Sequence, residues 1–191
     1  MKIDNNKYVV CKTCVMDTSD RNIKFNKEGE CDYCLNFKKN IKHNFKNYED
    51  SKKKIFKIAN HIKKNSNSNY DCLIGISGGV DSSYLAYFVK EELKLNPIVI
   101  HVDTGWNSIE SANNIEKIVD ALKLDLETIV IPWKEMRDLQ LSFFKARHPN
   151  LDIPQDHAIF ASLYKYAIQN NIKYILTGGN FSTECIREPL E

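Results

Sequence analysis

The stretch Ile74-Gly75-Ile76-Ser77-Gly78-Gly79-Val80-Asp81-Ser82-Ser83 joins a short apolar segment to one with helical periodicity. Residues 70–76 are mostly apolar, which is typical of a buried strand, and apolar residues recur at helical spacing over 82–95. The glycine pair lets the backbone approach a ligand closely, since no Cβ is in the way. The N–H groups and the dipole of the first helical turn favour an anion, and the serine hydroxyls add donors. The stretch therefore predicts a phosphate-binding turn between a strand and a helix.

Two common phosphate-binding motifs, the Walker A loop and the Rossmann glycine pattern, are absent from the sequence. The run Ser-Gly-Gly-Val-Asp-Ser-Ser at 77–83 instead resembles the pyrophosphate loop of the ATP pyrophosphatases. That superfamily includes GMP synthetase, NAD synthetase, asparagine synthetase and the tRNA thiolation enzymes. The resemblance implies cleavage of ATP between the α- and β-phosphates, adenylation of an oxygen and release of pyrophosphate. The alternative is a serine–glycine turn without a ligand.

Four cysteines near the N-terminus have the spacing C-x2-C, sixteen residues, C-x2-C. Each pair places two thiolates on one tight turn, and two such pairs complete a tetrahedral Zn²⁺ site; the ligands are Cys11, Cys14, Cys31 and Cys34. The polar residues between the pairs cannot form a core, so bound metal would supply the folding free energy. With four protein ligands the site is closed, which indicates a structural role. Disulfides or free thiols are the alternative.

Composition divides the chain into a four-cysteine zinc module (1–40), a basic linker helix (41–69) and a pyrophosphate-loop domain (70–191). The linker is expected to be helical over 48–64; we interpret it as a helix packed on the main domain, with RNA contact as the alternative. Since the chain stops soon after its last predicted strand, we expect a C-terminally truncated enzyme or a second half supplied by another chain.

Strands and helices alternate from residue 70 onward. Further strands are predicted at 97–102, 126–131 and 173–177, and further helices at 109–122, 134–146 and 155–170. Regular alternation predicts the α/β class, a parallel, doubly wound sheet with helices on both faces. This sheet would follow the small zinc ribbon or knuckle.

The formal net charge of +2 gives no argument for binding to nucleic acid or to a membrane surface. The first ten residues are polar, so no signal peptide is indicated, and no apolar run approaches the ~20 residues that span a bilayer. We therefore expect a cytoplasmic protein.

Three polar clusters follow predicted strands: the loop at Ser77, residues 103–106 and residues 178–184. Ligands of such sheets bind beyond the carboxyl ends of the strands, so these clusters are expected to meet. Asp103 is a candidate ligand for an adenine amine, a ribose hydroxyl or Mg²⁺. The alternative is a helix N-cap, with Asp103 or Ser108 serving.

The segment 147–157 interrupts the alternation with two prolines and two histidines and is interpreted as a substrate lip. His157 can manage a proton near neutral pH, although an ordinary surface histidine is the alternative. Asp156 is a substrate-binding candidate or a helix cap. Cys72 is expected in the core, and Cys185 is considered as a sulfur carrier.

Six motifs, in order along the chain, resemble those of the N-acetyl sugar amidotransferases. They are Cys-Lys-Thr-Cys-Val-Met-Asp-Thr-Ser-Asp at 11–20, Gly-Glu-Cys-Asp-Tyr-Cys at 29–34, Ser-Gly-Gly-Val-Asp-Ser-Ser at 77–83, His-Val-Asp-Thr-Gly-Trp-Asn at 101–107, Gln-Asp-His-Ala-Ile-Phe at 155–160 and Thr-Gly-Gly-Asn-Phe-Ser-Thr-Glu at 177–184. The resemblance covers essentially the whole chain but only part of a family-length enzyme, and Cys185 fits the family less well.

This resemblance implies that an acetamido group on a nucleotide-linked or nonulosonic sugar is converted to an acetamidino group, in bacterial surface-polysaccharide (including lipopolysaccharide) or flagellin-sugar biosynthesis. Ammonia would come from partner proteins that resemble the glutaminase and cyclase of histidine biosynthesis, and a homo-oligomer is left open. Two alternatives are a tRNA thiolation enzyme of the same superfamily and a non-catalytic, nucleotide-binding zinc module.

Carried onto this sequence, the resemblance makes Ser77, Asp81 and Ser82 the catalytic residues that hold the ATP phosphates, with Mg²⁺ helping to neutralise pyrophosphate. The other expected nucleotide-binding residues are Gly78, Gly79, Val80, Ser83, Asp103, Gly178, Gly179 and Asn180. The expected substrate-binding residues are Asp156, His157, Thr183 and Glu184.

Overall fold

A four-stranded parallel sheet organises the chain from Phe56 onward, in a computed structural model that describes residues 8–42 and 48–179. The strands are β1 (Cys72–Gly75), β2 (Pro97–Asp103), β3 (Asp125–Val130) and β4 (Ile175–Leu176). Their order is β3-β2-β1-β4, and each neighbouring pair runs parallel. Because β1 is paired on both sides and buried on both faces, the turn predicted to bind phosphate follows it near the middle of the sheet edge.

Six α-helices lie in the described residues; two precede β1, and the other four lie between the strands, as the alternation predicts. They are α1 (Asp32–Asn36), α2 (Tyr48–Asn65), α3 (Val80–Tyr87), α4 (Ile109–Leu122), α5 (Trp133–Lys145) and α6 (Ile153–Gln169). The predicted helix over 82–95 widens after α3 into a π-helical turn, in which the Leu93 N–H donates to the Phe88 carbonyl over 2.9 Å. In the described ranges no helix is both long and apolar enough to cross a membrane.

Helices cover both faces of the sheet. On one face, α3 and α4 contribute Ala86 and Ile115 to a core with β1 and β2, and the second half of α2 adds Ala59 and Ile62. On the other face, α6 packs Leu163 and Ala167 against the opposite side chains of the same strands. The predicted α/β fold with a parallel, doubly wound sheet is therefore confirmed.

The chain divides into two compact units, one up to Ile55 and one from Phe56. The first unit has no extended strand in its described part. Its backbone is held by two isolated antiparallel bridges, Val10 with Asp17 and Phe25 with Cys31, each of which closes a tight turn. The only core of this unit among its described residues surrounds its cysteines, together with Ile23.

Among the described residues, four helical segments end in the same way without a glycine, at Lys94, Lys123, Arg147 and Asn171, and α4 and α6 serve as examples. Lys123 after α4 and Asn171 after α6 have positive φ angles of 51° and 54°. The next residue then donates its N–H to a carbonyl of the last helical turn: Leu124 to Val119 at 3.0 Å and Ile172 to Ala167 at 2.8 Å. Leu124 and Ile172 are both buried, so each helix end directs the following residue into the core.

Replacing Lys123 with glycine should stabilise the fold, because a left-handed conformation is costly for a residue with a Cβ. We expect Lys123→Gly to raise the free energy of unfolding by roughly 0.5–1 kcal/mol, after the greater entropy of glycine in the unfolded chain is included. Lys117→Gly, in the exposed interior of α4, is the matched control and should lower it by about 1 kcal/mol. Urea denaturation of both variants measures the change in the free energy of unfolding. If the two substitutions changed it in the same direction, this account of the helix end would be contradicted.

Candidate functional site

The loop between β1 and α3 has the geometry of an anion site. Ser77 and Ser82 hydroxyls lie 3.1 Å apart, and the Ser77 N–H donates to the Ser82 oxygen over 3.2 Å. Gly79 is the N-cap of α3 and has extended backbone angles, so the first N–H groups of α3 lack intrahelical partners. The predicted strand–turn–helix is present, with free backbone donors at the start of a helix.

Gly78 is the residue that fixes the path of this loop. Its φ is +76°, and an added Cβ would lie 2.4 Å from the carbonyl oxygen of Ser111 in α4. The Asn114 side chain, also in α4, donates to the Gly78 carbonyl over 3.2 Å. The loop is thus held by α4, and a residue with a side chain at Gly78 would displace it.

A cavity of about 420 Å³ opens beside this loop. Its walls come from the carboxyl ends of β1, β2 and β4 and from α6, including Ser77, His101, Gln155 and Gly178. A Cβ added to Gly178 would lie 3.3 Å from the Asp81 carbonyl oxygen, so the loop after β4 contacts the first turn of α3. Polar residues from the three strand ends therefore meet at one cavity, as ligand-binding sites of this sheet type do.

The described cavity wall carries little charge. Asp81 and His101 are its only titratable side chains, and no lysine or arginine lines it within residues 8–42 and 48–179. Backbone N–H groups, hydroxyls and the dipole of α3 are therefore the described groups that could attract a phosphate. The Asp81 carboxylate is the described group suited to a divalent cation.

The predicted residues fall into three groups. Ser77, Asp81, Ser82, Gly178 and Gly179 line the cavity. Gly78 and Gly79 shape the loop, the Ser83 hydroxyl donates to the Gly79 carbonyl over 2.6 Å, and Val80 is highly exposed. The predicted residues Asn180, Thr183 and Glu184, like Cys185, lie outside the described residues.

Asp103 ends β2 but is not in the cavity wall. One oxygen of its carboxylate accepts the Gly105 N–H over 2.8 Å, which shapes the turn after the strand. The α4 N-cap is Ser108, whose hydroxyl accepts from the Ser111 N–H over 3.1 Å. The ligand role of Asp103 remains a prediction.

At the start of α6, the cavity is lined by Gln155 and not by Asp156 or His157, the two neighbours that the sequence singled out. The His157 side chain is exposed, whereas Asp156 is half-buried in the first turn of the helix. Their substrate-binding roles remain predictions. Gln155 lies within the motif at 155–160, but its residue type, a neutral amide, gave no reason to predict a role for it from the sequence.

His101 is a second residue of the cavity wall whose role the sequence did not reveal. Its Nδ1 lies 3.0 Å from the Ile76 carbonyl oxygen, and its Nε2 lies 2.9 Å from the Asn107 side-chain amide. Since a carbonyl only accepts, Nδ1 carries the proton and Nε2 accepts from Asn107. This ring joins the end of β1 to the turn after β2.

In the first unit, the four cysteine sulfurs lie within 4.8 Å of one another. Cys11 and Cys34 are 3.9 Å apart at sulfur, and Cys14 and Cys31 are 3.6 Å apart. Ligands of a tetrahedral Zn–S₄ centre are separated by roughly 3.8 Å, given Zn–S bonds of about 2.3 Å. A disulfide needs about 2.05 Å, so these four are free thiols whose arrangement fits a metal.

Backbone donors favour thiolate at one of these sulfurs. Burial would raise the pKa of Cys11, but N–H groups of Thr13, Cys31 and Cys14 donate to its sulfur, and the pKa is lowered to about 6. Burial, and then the neighbouring cysteine side chains, raise the pKa of Cys34. Donation to sulfur is the usual environment of a metal-bound cysteine thiolate.

Comparison with known proteins agrees with the fold. Residues 48–186 match the family model of NAD synthase. The chain is 29% identical over 185 residues to an uncharacterized protein of Methanocaldococcus jannaschii, covering 95% of this chain and 63% of that protein. It is 25% identical over 155 residues to the glutamine-hydrolyzing GMP synthase of Thermosipho africanus, covering 72% of this chain and 28% of that enzyme. The chain thus spans less than two thirds of the curated relatives it matches.

Among solved structures, the chain is similar to the NH3-dependent NAD synthetase of Campylobacter jejuni, with a TM-score of 0.53 and 20% identity. The match covers 72% of this chain and 58% of that one, and at this identity it shows the fold alone. The family model, by contrast, spans well over half of the chain and includes the loop, the cavity and the sheet. The chain therefore belongs to the NAD synthase family and, with it, to the PP-loop ATP pyrophosphatase superfamily.

Proposed function

We propose that this chain is the ATP-activating part of an amidotransferase that converts the acetamido group of a sugar into an acetamidino group. The proposal rests on the composition of one cavity. The loop between β1 and α3 (residues 76–79), called here the phosphate-type loop, lies at one end of this cavity, and amide and aromatic side chains line the rest of its wall. ATP would place its phosphates at Ser77, Asp81 and Ser82, where the free N–H groups of α3 offer donors. The sugar would occupy the neutral part.

The proposed reaction has two steps. The acetamido oxygen attacks the α-phosphorus of ATP, and the bond to the β-phosphate oxygen breaks, which releases pyrophosphate. Ammonia then adds to the activated carbon, the carbon–oxygen bond breaks, and AMP leaves with the former acetamido oxygen while protons pass to solvent. An amide carbon is a poor electrophile, and adenylation gives it a good leaving group.

The described residues contribute positioning and charge neutralisation to this reaction. The Ser77 and Ser82 hydroxyls and the N–H groups of α3 would stabilise the charge that develops on the leaving pyrophosphate. A bound Mg²⁺ would neutralise further phosphate charge, and the Asp81 carboxylate is the described group fit to hold it. No covalent nucleophile of the protein is required.

The tRNA thiolation alternative receives less support. A sulfur carrier must be accessible. Cys185 lies outside the described residues, and Cys72, the other cysteine beyond the first unit, is fully buried in β1, where burial raises the pKa of its thiol to about 12. A nucleic-acid substrate is expected to meet cationic side chains, and the described cavity wall has none. We therefore favour a sugar acceptor, with ammonia supplied by glutaminase-type partner proteins.

For the first unit we propose a structural Zn²⁺ held by Cys11, Cys14, Cys31 and Cys34. The sulfur separations fit a tetrahedral centre, and the described apolar contacts of this unit are few and gather around the cysteines themselves. Four protein ligands leave no open position for a substrate.

An oxygen-18 label tests the chemistry directly. A sugar whose acetamido oxygen is ¹⁸O, incubated with ATP and ammonia, should give AMP that carries the label, because that oxygen leaves with the phosphoryl group. Mass spectrometry of AMP measures this. Labelled pyrophosphate with unlabelled AMP would contradict attack at the α-phosphorus, and release of AMP that depends on tRNA but not on sugar would favour the thiolation alternative.

Removal of the Ser77 hydroxyl should slow the first step selectively. We expect Ser77→Ala to lower the rate of pyrophosphate release by roughly 10²–10³-fold, the usual cost of losing one donor to a developing anion. Ser142→Ala is the matched control, since this exposed helical serine also bonds its own backbone, at the Asp138 carbonyl. If both variants released pyrophosphate at the wild-type rate, the loop would have no part in catalysis.

The metal proposal predicts one zinc per chain by elemental analysis. Cys31→Ser should lose the metal and the ordered structure of the first unit, whereas Cys72→Ala should keep the full zinc content. Acidification should release zinc, because protons compete with the metal for thiolates as the pH falls. A protein that retains its first-unit NMR signals after complete removal of metal would refute a structural role.

A further inference from the structure

Trp106 is an exposed aromatic side chain in the wall of the cavity. It follows β2, and 58% of its surface is accessible. A single exposed aromatic residue needs no special explanation. Here, however, the indole is fixed in place, which an incidental surface residue has no reason to be.

Two side chains of α5 hold the indole. Its Nε1 donates to the Gln140 side-chain oxygen over 2.7 Å, and Gln140 is only 8% exposed. The ring of Trp133 meets the Trp106 ring edge to face, with centroids 5.3 Å apart and an angle of 79°. Trp133 and Gln140 are seven residues apart, two helical turns, so both lie on the same side of α5.

The backbone before Trp106 is equally constrained. Gly105 has a φ of +88°, and an added Cβ would lie 2.5 Å from Cε3 of Trp133. The turn therefore packs directly against the Trp133 ring, and only glycine permits this distance. The position of Trp106 is consequently set before any ligand binds, which lowers the entropic cost of using it for recognition.

The surroundings of Trp106 indicate the chemistry of its ligand. Its only polar group already bonds to Gln140, so the indole offers an apolar π surface and no further donor. The same cavity contains the ring of Phe160 and the side-chain amides of Gln155 and Asn107. Aromatic surface with neutral amides suits a ring that has an apolar face and a rim of hydroxyl and amide groups. The described wall offers this ring no cation, so recognition of the sugar ring itself would rest on stacking and on neutral hydrogen bonds.

We propose that Trp106 is a fixed stacking surface for the pyranose ring of the acetamido sugar, with Gln155 and Asn107 as hydrogen-bonding partners of the ring substituents. This rests on the proposed function, because it names the subsite for that reaction's acceptor. Gln140 and Trp133 are positioning residues that act through Trp106.

The chain has two tryptophans, and both belong to this assembly, so intrinsic fluorescence reports on it directly. N-acetylglucosamine and UDP-N-acetylglucosamine, titrated separately into the wild-type chain, distinguish a free sugar from a nucleotide-linked one. We expect saturable quenching by at least one of them. Trp106→Ala should abolish this quenching and raise the KM for the acceptor by roughly tenfold, with the dissociation constant of ATP unchanged within about twofold.

Two further variants test whether the effect is specific to the Trp106 ring or follows from a loss of folding or of any exposed aromatic side chain. Trp106→Phe retains an aromatic face and should restore most of the acceptor affinity, which a general loss of folding would not allow. Tyr164→Ala is the matched control, since Tyr164 is an equally exposed aromatic (59%) that does not line the cavity. It should bind both sugars as the wild type does.

The results separate this inference from the proposed function. An unchanged acceptor KM in Trp106→Ala, while wild type forms sugar-dependent AMP, would overturn the stacking surface but leave the reaction standing. A lower affinity of Trp106→Ala for ATP, with sugar binding unchanged, would also overturn it and assign the ring to the purine. Sugar quenching that requires Trp106, without any sugar-dependent AMP, would support the subsite and refute the reaction.

Discussion

The loop after β1 depends on one backbone conformation at one residue. Gly78 adopts a positive φ while α4 approaches so closely that a Cβ would overlap the Ser111 carbonyl oxygen. Asn114 then donates to the Gly78 carbonyl, so α4 holds the loop directly before the start of α3. The geometry of the predicted anion site therefore depends on packing between two helices and a turn, and the dipole of α3 would add to its attraction for an anion.

The cavity combines a strongly polar end with a neutral one. Hydroxyls and backbone donors surround the loop, whereas the turn after β2 and the start of α6 contribute aromatic rings and amides. His101 links the two ends, since it bonds the last carbonyl before the loop and the Asn107 amide. This arrangement suits a reaction in which a charged donor and an uncharged acceptor must be held in contact while pyrophosphate departs.

The fold and the loop could be predicted because they depend on local patterns. Apolar runs at strand and helix periods define the alternation, and the four cysteines need only their spacing. The helix ends were harder, since Lys123 and Asn171 take left-handed conformations that glycine usually marks. The part of the cavity beyond the loop was not predicted: Gln155 and His101 line it because the fold brings the start of α6 beside the end of β2, and neither a neutral amide nor a histidine within a strand marks a site by its position in the sequence.

Helix α5 holds the turn after β2 through Gln140 and Trp133, and neither of these residues lines the cavity. If Trp106 binds the acceptor as proposed, substitutions in this one helix would change acceptor preference and leave the residues proposed for ATP in place. Such a separation would allow proteins with the same nucleotide-binding loop to accept different small molecules, through substitutions at Trp133 and Gln140, which lie two turns apart in α5.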